Sequence, residues 1–125
     1  MKLFSEEEQL LLKEEGWWSD VTWRSLLASA VARVPERTAV IDPFYRENVM
    51  PGEPRELTWA QLERASRAVA TSLAAAGVTR GSVVGIQLPN VVELPTTMIA
   101  IARLGAGVCP FPVQNRRHEL ETMCT

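Results

Sequence analysis

The sequence predicts an α/β fold: a partial, mostly parallel sheet with flanking helices and a short β-hairpin. Three observations predict it. Apolar residues recur at helical spacing over positions 59–76. A nearly continuous apolar run over 83–88 then follows a glycine turn, the pattern of a strand covered on both faces. A second helix pattern and a second apolar run, 108–111, come next. Strands alternating with helices make parallel β-α-β units, which cross over right-handed and need helices on both faces of the sheet.

At 125 residues the chain suits one domain with a real core. Its net charge of −2 gives no reason to expect a nucleic-acid partner, because that binding rests on clustered cations. The arginines are scattered, and the lysines are Lys2 and Lys13 alone. No run approaches the ~18 apolar residues that span a bilayer. The start, Met1-Lys2-Leu3-Phe4-Ser5-Glu6-Glu7-Glu8, is acidic and lacks the apolar core of a signal peptide. Cys109 and Cys124 are too few for a disulfide framework and lack metal-type spacing. A cytoplasmic protein is the expectation.

Residues 1–21 read as a lead-in helix and turn, ahead of an α/β unit over 22–125. Ser5 with Glu8 three positions on is a capping box, and Gly16 is the stop. The stripe Leu10, Leu11, Leu12 is thin, so this helix needs a partner surface. Trp17-Trp18-Ser19-Asp20 is a turn. The next helix spans about 22–34, with Leu27, Ala30, Val31 and Val34 on one face, and Pro35 ends it. Residues 38–42 have the β-branched content of a strand. Residues 43–54, with Pro51-Gly52 among charges, read as an exposed hairpin loop, and 55–57 as the returning strand.

Thr58 caps the long helix and Gln61 completes its box. Leu62, Ala65, Val69, Leu73 and Ala76 form the expected buried face, with Glu63 and Arg67 paired on the outer one. Gly77 ends the helix in the left-handed conformation. Asn90 is the expected cap of the following helix, with Glu93 at the box position. Pro95 conflicts with a helix interior, so the start is placed between Val91 and Leu94. Gly105 and Gly107 break that helix, and 118–125 begins another.

A search for catalytic constellations finds none. His118 lies among Arg116, Arg117 and Glu119, and no second histidine exists for a metal site. Ser66, Ser72 and Ser82 have no base indicated nearby. Gly77-Val78-Thr79-Arg80-Gly81 lacks a lysine and follows a helix rather than a strand, so it reads as a plain turn, as does Gly105-Ala106-Gly107. No catalytic, cofactor-binding or metal-ligating residue is assigned.

Several segments carry a resemblance. These are Thr58-Trp59-Ala60-Gln61-Leu62, Gly77-Val78 with Gly81, Gln87-Leu88-Pro89-Asn90 with Glu93, and Arg103-Leu104-Gly105-Ala106. In order and spacing they resemble the N-terminal part of the large domain of the adenylate-forming enzymes, the AMP-dependent synthetase/ligase superfamily. Gly16-Trp17-Trp18-Ser19-Asp20, residues 34–40 and residues 111–120 are similar to its acyl- and aryl-CoA synthetase branch.

The resemblance implies a parent enzyme that converts a carboxylic acid and ATP to an acyl-adenylate, then to a thioester with CoA. ATP, Mg²⁺ and CoA are implied for that parent and none for this chain. The phosphate loop, ribose-binding Asp and catalytic lysine of the family match no residue here, so the chain alone is expected to be inactive. Its partner is the remainder of the parent enzyme. Gln114 and Asn115, after the last strand, are the candidate acyl-pocket residues, on the side where such sheets bind ligands. The alternative is a naturally short, non-catalytic interaction module of the same fold, self-associating through an exposed sheet edge.

Overall fold

Ser5, Thr22 and Thr58 open three helices in the same way, each hydroxyl accepting from the backbone N–H three residues on. The computed structural model describes residues 4–124; Met1, Lys2, Leu3 and Thr125, named above, lie outside them. In α1, Glu6–Glu14, the Glu8 carboxylate returns the bond to the Ser5 N–H at 2.7 Å. In α2, Trp23–Arg33, Ser25 takes the place usual for Glu, its hydroxyl accepting from Thr22 N–H at 2.8 Å. In α3, Trp59–Ala75, Gln61 Oε1 accepts from Thr58 N–H at 2.8 Å. Each box satisfies donors that a helix start otherwise leaves orphaned.

The hairpin forms as expected. Strands β1, Thr38–Ile41, and β2, Glu56–Thr58, pair antiparallel with Val40 opposite Leu57 and an irregularity between Thr38 and Val40. The connecting loop departs from expectation. It carries a single 3₁₀ turn at Arg46–Asn48, and Arg46 is 3% exposed rather than solvated.

Strands β3, Val83–Ile86, and β4, Gly107–Pro110, pair in parallel around α4, Glu93–Arg103. The two strand pairs form separate sheets among the described residues, so the sheet is parallel in one pair and antiparallel in the other. β3 is not covered on both faces. Ile86 is buried, but Val83 is 75% exposed. A short helix α5, Arg117–Met123, closes the described chain.

Two further readings are corrected. The buried face of α3 centres on Leu62, Ser66 and Ala70; Ala65, Val69 and Leu73 are half-buried and Ala76 is exposed. A serine can lie there because its hydroxyl donates to Glu63 C=O at 3.0 Å and accepts from Arg103 Nε at 3.2 Å. Glu63 meets Arg67 at 2.7 Å and also pairs with Arg103 of α4, so it bridges two helices rather than facing outward.

Asn90 does not cap α4. Val92 holds the cap position without a side-chain bond, and its N–H donates to Asp42 Oδ1 at 2.7 Å. Pro95 is the third residue of α4, inside the first turn, where a missing N–H costs no helical bond. The core lies between α2, α3, α4 and the hairpin: Leu27, Leu62 and Ile99, flanked by Val31, Val40, Leu57 and Trp59.

Candidate functional site

Gln87 follows β3 and ties the carboxyl ends of the parallel pair together. Its Nε2 donates to Pro112 C=O at 2.9 Å and to Asn115 C=O at 2.7 Å. The loop after β4 folds on itself through Asn115 N–H to Pro112 C=O at 3.1 Å. Ligands of open α/β sheets sit beyond the carboxyl ends of the strands, which is this end.

Gln114 and Asn115 therefore lie at that end of the strand pair. Gln114 is exposed, while Asn115 Nδ2 turns toward Met123 Sδ of α5 at 3.5 Å. The nearby hollow, about 360 Å³, is lined by Val83, Gly85, Cys109, Phe111, Met123 and Cys124. Its lining side chains are aliphatic, aromatic or sulfur-bearing, with no charged group among them to fix a carboxylate or phosphate. Phe111 covers Gly85 so closely that a Cβ there would lie 2.6 Å from the ring. Gln87 and this close approach were missed at the sequence level; an isolated Gly within a strand pattern is the signal that marks such contacts.

The glycine turns sit at the opposite, amino end of the strands. Gly77 and Gly81 adopt φ of 94° and 85°, which glycine tolerates without strain. Gly81 N–H donates to Gly105 C=O at 3.0 Å, and Gly107 N–H to Ser82 C=O at 2.8 Å. These N–H groups are consumed in joining the two turns, so they do not form a cradle for phosphate. Position and bonding both fit a structural junction.

The densest charge cluster is internal. Asp42, fully buried, accepts from Val92 N–H at 2.7 Å, Arg55 N–H at 3.0 Å and Arg46 Nη1 at 2.8 Å. Arg46 also meets Glu93 at 2.7 and 2.9 Å, a two-pronged pair, and Arg55 pairs with the same carboxylate. Arg46 holds the Glu93 carboxyl down to about 2 against the opposing effect of burial, with Arg55 assisting. Burial pushes the Asp42 carboxyl up, but the N–H groups of Val92 and Arg55 and the neighbouring arginines outweigh it, leaving it lowered. The cluster joins β1, the hairpin loop and the start of α4. Every charge faces an opposite one, so it binds the fold rather than a ligand.

Elsewhere the chemistry stays sparse. His118 is exposed on α5, Ser72 donates to Ala68 C=O, and Ser82 accepts from Thr79 N–H. Among the described residues no group of three or more His, Cys, Asp or Glu is placed to hold a metal ion. No helix there is long and apolar enough to cross a membrane.

Against this geometry the chain can be set beside known proteins. The family model described as AMP-binding enzyme matches residues 27–125. The chain is 30% identical over 111 residues to pyochelin synthase PchD of Pseudomonas aeruginosa, covering 89% of this chain and 18% of that protein. It is 35% identical over 91 residues to the salicyl-AMP ligase / salicyl-S-ArCP synthetase of Mycobacterium tuberculosis, 73% of this chain and 15% of that one. Among solved structures, apo MbtA of Mycobacterium smegmatis aligns over 99% of this chain and 22% of its own, at 27% identity and a TM-score of 0.77. The chain thus spans about a fifth of the length of the proteins it matches.

Proposed function

The chain belongs to the AMP-binding enzyme family, the adenylate-forming superfamily, and from that premise we propose that it is the N-terminal scaffold of an acid–thiol ligase. The reaction assigned is activation of a carboxylic acid by ATP to an acyl-adenylate, followed by thioester formation with a thiol such as CoA. An aryl acid of the salicylate kind is the favoured substrate class. The observation that carries this reading is the 35% identity to a relative named for salicyl-AMP and salicyl-S-ArCP formation.

In that reading these residues contribute architecture. The first chemical step needs donors and cations around a triphosphate and Mg²⁺. The N–H groups of Gly77, Gly81, Gly105 and Gly107 are spent on backbone carbonyls, and the buried Arg46 on carboxylates. ATP, Mg²⁺ and CoA accordingly engage residues outside these 125, and the chain alone does not catalyse. What it supplies is a strand pair, held at its carboxyl end by Gln87, against which the rest of the large domain assembles.

The test is acid-dependent ATP–pyrophosphate exchange. The isolated chain is expected to give none with salicylate, benzoate or fatty acids. A salicyl-AMP ligase whose matching N-terminal segment is replaced by this chain is expected to retain salicylate-dependent exchange. Exchange by the chain alone contradicts the scaffold role. A folded chimera that has lost salicylate-dependent exchange contradicts the assignment of this chain as the scaffold of an aryl-acid ligase.

A further inference from the structure

Helix α1 and the outer face of α2 are complementary surfaces, and each leaves its apolar side chains exposed in the single chain. α1 buries none of its residues, and Leu10 and Leu11 are 62% and 53% exposed. Glu7 and Glu14 lie three or four positions from both leucines, so they flank the apolar stripe on the same side of the helix. Residues 6–15 hold five glutamates against one lysine, whereas the rest of the chain holds ten acidic and twelve basic side chains.

On α2, Trp23 and Leu26 are 64% and 59% exposed. With Leu27, Trp59 and Ile99 they line an almost wholly apolar notch of about 200 Å³. Trp23 also borders a second, adjoining groove, about 520 Å³, lined by Arg24, Arg80 and Arg103. Arg103 is occupied by Glu63, but Arg24 and Arg80 are exposed and have no ion pair among the described residues. An apolar notch beside a cationic groove fits an acidic amphipathic helix with its leucines inward.

We infer that the occupant is α1 of a second copy: two chains exchange their N-terminal helices, Leu10 and Leu11 entering the Trp23/Leu26 notch and Glu7 and Glu14 facing Arg24 and Arg80. The exchange is reciprocal, so the interface closes as a symmetric dimer rather than a filament. Two small helix faces bury little area, so association is weak, in the high-micromolar range, and falls as salt screens the Glu–Arg contacts.

Sedimentation equilibrium on the full chain, from micromolar to millimolar concentration, tests this. A monomer–dimer equilibrium favoured at low salt is expected. The L10S/L11S variant should raise the dissociation constant by at least about a hundredfold, from four lost leucine burials spread over two copies. The R24E/R80E variant should raise it roughly tenfold, and E7K/E14K added to it should restore association. Because α1 buries none of its residues and Arg24 and Arg80 are exposed, these variants are expected to leave the fold intact, which circular dichroism checks. A chain that stays monomeric throughout overturns the proposal. So does a dimer indifferent to L10S/L11S, which would place the contact elsewhere, such as the unpaired edges of β3 and β4. A change in tryptophan emission on L10S/L11S that is independent of concentration also overturns it, because α1 would then be occupying its own chain's notch.

Discussion

Arg46 and Glu93 stand 47 positions apart in sequence, yet their side chains meet as a two-pronged ion pair at 2.7 and 2.9 Å. Asp42 accepts from the same guanidinium, through Nη1, at 2.8 Å. The pair locks a proline-rich loop to the first turn of α4, and a carboxylate at that position also complements the helix dipole. Among the described buried side-chain atoms, Arg46 Nε has no partner, so the guanidinium is held through Nη1 and Nη2.

Acid should therefore unfold the chain earlier than its carboxylate count alone suggests. Glu93 is lowered from 4.5 to about 2 and Asp42 is lowered too, so both contribute stability that is full above the ordinary carboxylate range. That stability is lost as pH falls from about 4.5 toward 2. Urea midpoints measured across this window should drop steeply for the wild type. They should drop less for Glu93→Gln, which starts lower.

Removing the buried acid should be the most damaging single change in the cluster. Asp42→Ala leaves Arg46 beside an empty site and takes an acceptor from Val92 N–H. A loss of about 3 kcal/mol is expected by denaturant titration. A loss within the scatter of surface substitutions would mean that the cluster relaxes into water.

Gly85 is fixed by Phe111. Gly85→Ala should cost about 1–3 kcal/mol through the ring contact, since no backbone strain is involved. Phe111→Leu in the same chain should recover part of that cost. Additive losses in the double-mutant cycle would contradict the contact.

Leu62 anchors the core with Leu27 and Ile99 at 2% exposure. Leu62→Ala should cost about 2–5 kcal/mol. Thr58→Ala removes the cap of α3 and should cost about 1 kcal/mol.

The local signals were the legible ones. The capping boxes at Ser5 and Thr58, the stop at Gly77 and the hairpin pairing all follow from residues within a few positions of one another. What stayed hidden depends on distant partners. Arg46 reads as one charge in a polar loop, because nothing near it in sequence names Glu93. Asn90 and Glu93 have the spacing of a capping box, yet Arg46 and Arg55 capture the Glu93 carboxylate and Asp42 takes the Val92 N–H. Ser66 looks too polar for a core face until Arg103 and Glu63 supply its bonds. Gln114 and Asn115 are at the end of the sheet where the strand order puts them, and the contact of Asn115 with Met123 of α5 is one that nothing near it in sequence announces.

Calorimetric titration of Mg·ATP into the isolated chain tests the scaffold reading most directly. The account predicts no saturable heat up to millimolar nucleotide, because the N–H groups of the glycine turns are already bonded to backbone carbonyls and the buried Arg46 to carboxylates. A saturable isotherm with a micromolar dissociation constant would contradict it and place a nucleotide site within these 125 residues.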